Sequence, residues 1–286
     1  MSRNLIYSIL LLLIGAIIGG VASIFLFLQI TGGNAEVSEP ITAPTLSLDN
    51  FQPTPVVTLP VIEAEPTQPT EPTPLPTAIV EVLETSSPMP TETFAPPPTA
   101  TAKPPQLFRI DATRSKARFS VYETFPEGTA VGETNQIAGD LIIDHATPSN
   151  SQVGTIRINL RALQTDDPKR DQSIRCCVLL TSRDEYEFGE FTPTQINGLP
   201  DQITLGEQQF VQIVGDLTIR GVTNAVTFDA TLNLANETEL FGLATAQVSR
   251  KSFGILNNDD NGFDYHGVVD EITLDFEFVA IAVQSE

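Results

Sequence analysis

Two adjacent cysteines, Cys176 and Cys177, are the only thiols in the chain. Neighbouring thiols outside the cytoplasm can oxidise. Three readings are open: two buried thiols on a helix, a vicinal disulfide, or a redox switch. Packing favours the first, because free cysteine behaves as a small hydrophobe. Asn257–Gly262 (N-N-D-D-N-G) is a second stretch with ligand chemistry. Asn257, Asp259, Asn261 and Gly262 fit the opening of a calcium loop, but Val268 stands where a bidentate glutamate is needed. A plain Asn/Asp/Gly turn explains the same residues. His145 and His266 are far apart, and no Cys/His set has metal spacing, so no metal site is assigned. There is no G-x-S-x-G, no H-E-x-x-H and no phosphate-cradling glycine loop. No carboxylate pair stands out for acid–base work. The sequence is therefore read as a non-enzyme, with no catalytic residue and no cofactor.

Composition narrows the remaining classes. The 286 residues carry a net charge of −21 and a pI near 4.3. Phosphate backbones need a basic face, so a nucleic-acid role is excluded. Anionic membrane surfaces would repel the soluble part as well.

Three regions must position whatever the chain binds. Residues 1–30 hold Leu5–Leu28, an uncharged apolar run long enough to cross a bilayer as a helix. A cleaved signal peptide would be shorter and end in a small-residue site, so a retained anchor is expected. Arg3 before the run, with Glu36 and Glu39 after it, puts the N-terminus in the cytoplasm and the rest outside. Gly15 and Gly19 form a G-x-x-x-G pair that could serve a helix dimer, hence a possible homodimer. Residues 31–105 hold seventeen of the 22 prolines and read as a disordered Pro/Thr-rich linker. Extended at about 3.1 Å per residue, it would reach roughly 200 Å. Either a plain spacer or an O-glycosylated stalk fits this composition.

Residues 106–286 form the folded domain. Val211, Ile213, Gly215, Leu217 and Ile219 alternate with polar neighbours. After a turn at Arg220–Thr223, Val226, Phe228, Ala230, Leu232 and Leu234 do the same. A period of two over this length gives antiparallel strands with one buried face. The same pattern marks Lys116–Tyr122, Ile137–Ile143, Thr155–Arg161, Leu240–Val248 and Val269–Val279, with a weaker strand at Phe191–Ile196. Asp166-Asp167-Pro168 caps a helix over Lys169–Leu180, with Ile174, Cys177 and Val178 on its apolar face. A second helical turn is expected at Arg250–Phe253. The fold class is all-β, a sandwich or barrel.

Several motifs, in order, carry a family resemblance. They are F-R-I-D-A-T-R-S-K-A-R-F-S-V (Phe108–Val121), L-Q-T-D-D-P-K-R-D-Q-S-I-R (Leu163–Arg175) and Y-E-F-G-E-F (Tyr186–Phe191). G-D-L-T-I-R-G-V-T (Gly215–Thr223) and V-S-R-K-S-F-G-I (Val248–Ile255) complete the set. Together they resemble the YceI-like, or polyisoprenoid-binding, family over nearly all of Gln106–Val283. Gln172 stands where many members have histidine, and Cys176-Cys177 where a charged or serine-rich helix end is usual. The resemblance implies a lipocalin-like antiparallel barrel of about eight strands with one or two short helices. It also implies an elongated cavity holding an isoprenoid or quinone-like lipid outside the cytoplasm.

Residue patterns add a candidate lining: Phe119, Leu141, Ile156, Ile158, Ile213, Phe228, Leu274 and Phe276. Small barrels can hold one ligand or be filled by side chains, so a filled core is the competing reading. The small residues Gly139, Gly215, Ala230, Ala244 and Ala246 would leave room for a ligand. Ile174 and Phe253, on the helical insertions, are expected to close the cavity. Arg170, Arg175 and Arg250 are candidates for a polar mouth, or else surface ion pairs. The functional expectation is a membrane-anchored lipid-binding protein, its domain periplasmic or on the cell surface. The alternative is a filled barrel displayed on a stalk as an interaction or adhesion module.

Overall fold

The computed structural model describes residues 35–51, 103–125, 127–255 and 267–284, together with Gly15, Gly19 and Ser23, which are helical. The rest of the expected span Leu5–Leu28 and the calcium-like stretch Asn257–Gly262 lie outside the described residues. Among the described residues no helix is long and apolar enough to cross a membrane.

The domain is all-β, one strongly curled antiparallel sheet. Its strands are β1 (Gln106–Ile110), β2 (Lys116–Thr124), β3 (Glu127–Thr134), β4 (Ile137–Ala138), β5 (Asp140–Ile143), β6 (Gln152–Val153), β7 (Ile156–Asn159), β8 (Phe188–Asn197), β9 (Gln208–Ile219), β10 (Val222–Asn236), β11 (Glu239–Ser249) and β12 (Val268–Ala282). The order is β4-β7-β8-β9-β10-β11-β12-β1-β5-β6, with β2 on β12 and β3 on β2. The β9–β10 hairpin follows its sequence pattern: Val211, Ile213, Gly215 and Leu217 are buried, while Gln212 and Asp216 are exposed. Its turn is tighter than Arg220–Thr223. Ile219 pairs with Val222, and Arg220 and Gly221 both have positive φ (53° and 72°). Two positive-φ residues match the right-handed twist of the flanking strands. Arg220 then donates to the Gly254 carbonyl at 3.0 Å, tying the turn to the chain after β11.

Two broken strands curl the sheet. Between β1 and β2 the chain makes a 3₁₀ turn, Ala112–Arg114, capped by the Asp111 side chain, which accepts from the Thr113 N–H at 2.9 Å. Past this corner the partner residues on β12 change, from Ala280 opposite Ile110 to Leu274 opposite Phe119. Likewise β3, β4 and β5 follow one another closely but pair with β2, β7 and β1. At the second corner Ile110 donates to the Gly139 carbonyl at 3.0 Å. Strands that change partners at bends turn corners in this way.

The helical insertion differs in detail from its pattern. Asp167 caps α1 (Pro168–Ser173) by accepting from the Lys169 N–H. The chain then widens into a π-type turn, Ile174–Val178. That widening changes the phase of the apolar stripe: Ile174 is buried, but Cys177 and Val178 are exposed. The expected turn Arg250–Phe253 is present, capped by Ser249 and ended by Gly254 at φ 68°. Ala35–Phe51, read in sequence as linker, lies against the sheet. Leu46 donates to Asp140 at 3.3 Å, and Leu46 also packs beside Gly154.

Of the small residues expected to leave room, Ala244 lines the cavity described below, but the space at two glycines is already taken. A Cβ on Gly215 would lie 2.6 Å from the Thr192 carbonyl oxygen and 2.7 Å from the Phe191 ring. The room at Gly139 is taken by Ile156 and Ile110. Gly215→Ala should therefore destabilise the domain by about 1–3 kcal/mol, read as a lower urea midpoint at unchanged slope.

His145 gives a pH dependence. Burial, then the nearby Lys103 ammonium, push its imidazole below the usual 6.5, against the opposing pull of Glu237 and Asp144. The unfolded chain then binds this proton more tightly than the folded one. The stability it contributes is present above the unfolded value and is lost as pH falls through the folded one. Between about pH 7.5 and about pH 5.5, His145→Asn should lose less melting temperature than the wild type.

Candidate ligand-binding site

The inward faces of the sheet enclose an apolar cavity of about 130 Å³. Phe119, Leu141, Ile156, Ile158, Ile213, Phe228, Leu274 and Phe276 line it, each from its expected strand position. Phe191, Leu217, Ile219 and Phe278 line it too and were absent from the sequence-derived lining. Their period-two placement on β8, β9 and β12 was the available signal. The lining aromatics pack in pairs. Phe191 meets Phe228 edge-on with centroids 5.0 Å apart, and Phe276 stacks on Phe278 at 5.0 Å.

Two charged residues border the cavity, Arg118 and Asp275, and both are engaged elsewhere. Arg118 is 3.7 Å from Glu133, and Asp275 accepts from Thr245 at 2.9 Å. No polar group is thus committed to the centre, and apolar burial is the chemistry the cavity offers. Its volume is close to the ~150 Å³ of an engineered cavity that admits benzene. It is a compact space, whereas the resemblance implies an elongated cavity.

Ile174 and Phe253 are buried but do not border the cavity. Phe253 belongs to the core beneath its own turn, at 1% exposure. The arginines are placed differently from one another. Arg250 is 3% exposed and donates to three carbonyls, Val269 and Val268 at 3.0 Å and Ile255 at 2.9 Å. It is a structural clamp between the Arg250–Phe253 turn and β12, which corrects its assignment to a polar mouth. Arg170 pairs with Asp166 and, at 3.4 Å, with Glu123. Only Arg175 borders an open space next to the cavity. It lines a polar cleft of about 710 Å³ together with Lys116, Glu133 and Gln164. Leu163 lines both the cleft and the apolar cavity, and so forms the wall between them.

The cysteines form a vicinal disulfide, Cys176–Cys177, with S–S 2.03 Å. This replaces the expected pair of buried thiols, and the widened turn is why Cys177 faces solvent. Among the described residues no group of three or more His, Cys, Asp or Glu could hold a metal ion.

Because all three Arg250 contacts are carbonyls, its removal strands buried acceptors. Arg250→Met should cost about 2–4 kcal/mol in chemical denaturation. Arg175→Met, at the cleft, should leave stability within about 0.5 kcal/mol.

A family model for the YceI-like domain matches residues 108–280. Similar solved structures include a polyisoprenoid binding domain from Saccharophagus degradans implicated in plant cell wall breakdown. It is 14% identical, with a TM-score of 0.48, over 62% of this chain and 98% of that one. BcnA of Burkholderia cenocepacia is 16% identical, with a TM-score of 0.48, over 59% and 98%. The Campylobacter jejuni YceI protein is 16% identical, with a TM-score of 0.41, over 54% and 85%. No curated protein matches the sequence. From Phe108 to Ala280, the motifs read from the sequence and the family match coincide, and the chain belongs to the YceI-like domain family.

Proposed function

We propose that the chain is a membrane-anchored, extracytoplasmic protein that holds an isoprenoid or quinone-like lipid in the apolar cavity. The observation carrying this reading is the cavity itself, walled by aromatic and aliphatic side chains with no polar group committed to it. In this reading the curled sheet is a lipocalin-like barrel of eight ribbons. β1–β2 make one ribbon, β3–β4–β5 a second, and β7 to β12 the other six. Leu5–Leu28 is the anchor, with the N-terminus cytoplasmic and the domain periplasmic or at the cell surface. A vicinal disulfide suits such an oxidising compartment. Family membership and the polyisoprenoid-binding name of a similar domain support the ligand class.

The energetics are those of apolar transfer. Each buried methylene gains about 0.8 kcal/mol, so one isoprene unit is worth about 4 kcal/mol before association costs. A longer chain requires the phenyl rings to swing aside. Its headgroup would then lie past Leu163 in the cleft beside Arg175 and Lys116. This is binding chemistry, not catalysis.

The modest cavity volume favours a second reading, a filled barrel acting as an interaction or adhesion module. One experiment separates the two. The intact chain is purified from a membrane-containing host, examined by native mass spectrometry, and extracted with organic solvent. A discrete prenyl or quinone mass is the expected result, and Phe228→Ala should retain a longer chain than the wild type. A chain that stays ligand-free after incubation with polyprenols and quinones, in both forms, leaves the filled barrel.

A further inference from the structure

Ala35–Phe51 does not merely touch the domain; it completes a buried charge cluster there. Glu187 is 2% exposed, Arg161 3% and Asn159 0%. One Glu187 oxygen accepts from the Ser38 N–H and the Asn159 amide, both at 2.8 Å. The other accepts from the Ser38 hydroxyl at 2.8 Å and lies 3.1 Å from Arg161 Nη1. Arg161 donates in turn to the Glu36 carbonyl at 2.7 Å. A buried carboxylate must have its lone pairs filled, and Ser38 supplies two of the donors. Farther along, Arg157 donates to the Thr42 carbonyl at 3.1 Å, and the Leu46 N–H reaches Asp140 at 3.3 Å. The seam thus reads backbone groups of an extended segment at several points, plus one serine hydroxyl.

We infer that this seam is an intramolecular peptide-binding site, and that its occupant, Glu36–Leu46, holds the domain close to the membrane. The membrane half rests on the anchor proposed above; the recognition half does not. Leu28 and Glu36 are eight peptide steps apart, which at about 3.6 Å each span at most about 29 Å. The linker counted whole would allow roughly 200 Å. Phe51 and Lys103 both belong to one compact unit. A lipid chain leaving the cavity would then have a short path to the bilayer.

The test uses the full chain in phosphatidylcholine nanodiscs, with Ser38→Pro as the variant. Proline removes both donors to Glu187 and touches no strand of the sheet. Amide hydrogen exchange over 36–46 should be at least about ten-fold slower in the wild type than in the variant, with β9–β11 unchanged in both. Equal exchange over 36–46 in the two forms overturns the inference. The chain has no tryptophan, so Phe210→Trp, at a 73% exposed position, gives a clean donor for energy transfer to dansyl-labelled lipid. Transfer should fall when Ser38→Pro is added. Unchanged transfer in a membrane-bound chain overturns the placement. A chain that never enters the nanodisc defeats the anchor reading alone, since slowed exchange would still establish the seam.

Discussion

Phenyl rings seated over glycines fix how much interior the curled sheet encloses. Gly132 is the cross-strand partner of Phe119, and Gly242 that of Phe278. A Cβ on Gly132 would lie 2.2 Å from the Phe119 ring, and one on Gly242 2.1 Å from the Phe278 ring. Phe191 fills the space over Gly215 in the same manner. Each ring therefore uses the pleat of a neighbouring strand instead of the middle of the cavity. Cross-strand neighbours sit close enough for this exchange of bulk. The slot remains because the rings lean into the wall, and the same rings limit it to about 130 Å³. At Gly132, Gly215 and Gly242 the missing side chain marks where an aromatic ring is stored, whereas Ala117, Gly189 and Ala244 border the cavity itself.

That distinction separates what was legible in the sequence from what was not. Alternation along β2, β9, β10 and β12 gave both the strands and part of the cavity wall, because burial on one face is a local, period-two property. Phe278 followed the same alternation without being taken into the lining. Arg250 was misjudged for a different reason. An arginine after a strand looks the same in sequence whether it meets a ligand or backbone carbonyls of β12 and of its own turn. Cys177 was misplaced because α1 widens at Ile174, and a π-type turn shifts every later residue on the helical wheel. Docking of Ala35–Phe51 was the least legible. Proline and threonine describe an extended chain well, but they say nothing about a carboxylate more than a hundred residues away that needs a serine.

β7 connects the two recognition chemistries. Ile156 and Ile158 line the apolar cavity, while Arg157 and Asn159 reach the docked segment. Its ladder to β4 is short, with Ile137 opposite Ile158 and Ala138 opposite Arg157. Its other ladder, to β8, runs from Ile156 opposite Phe191 to Asn159 opposite Phe188. A strand held on one side by so few partners needs support from elsewhere. The outer contacts of Arg157 with Thr42, and of Asn159 with Ser38 and Glu187, supply it.

A short strand shared by two sites also couples them in principle. Side chains alternate, so the strand cannot shift its cavity face without moving the face that grips the segment. Ile158 and Arg157 are adjacent, and both sit on the β4 ladder. Widening the slot at Ile158 would therefore work against the Arg157–Thr42 contact, and releasing the segment would loosen the slot. By linkage, any ligand that prefers the wider slot weakens segment docking by the same factor that docking weakens the ligand. Under the proposed function, this arrangement of β7 would couple ligand occupancy to docking of the segment.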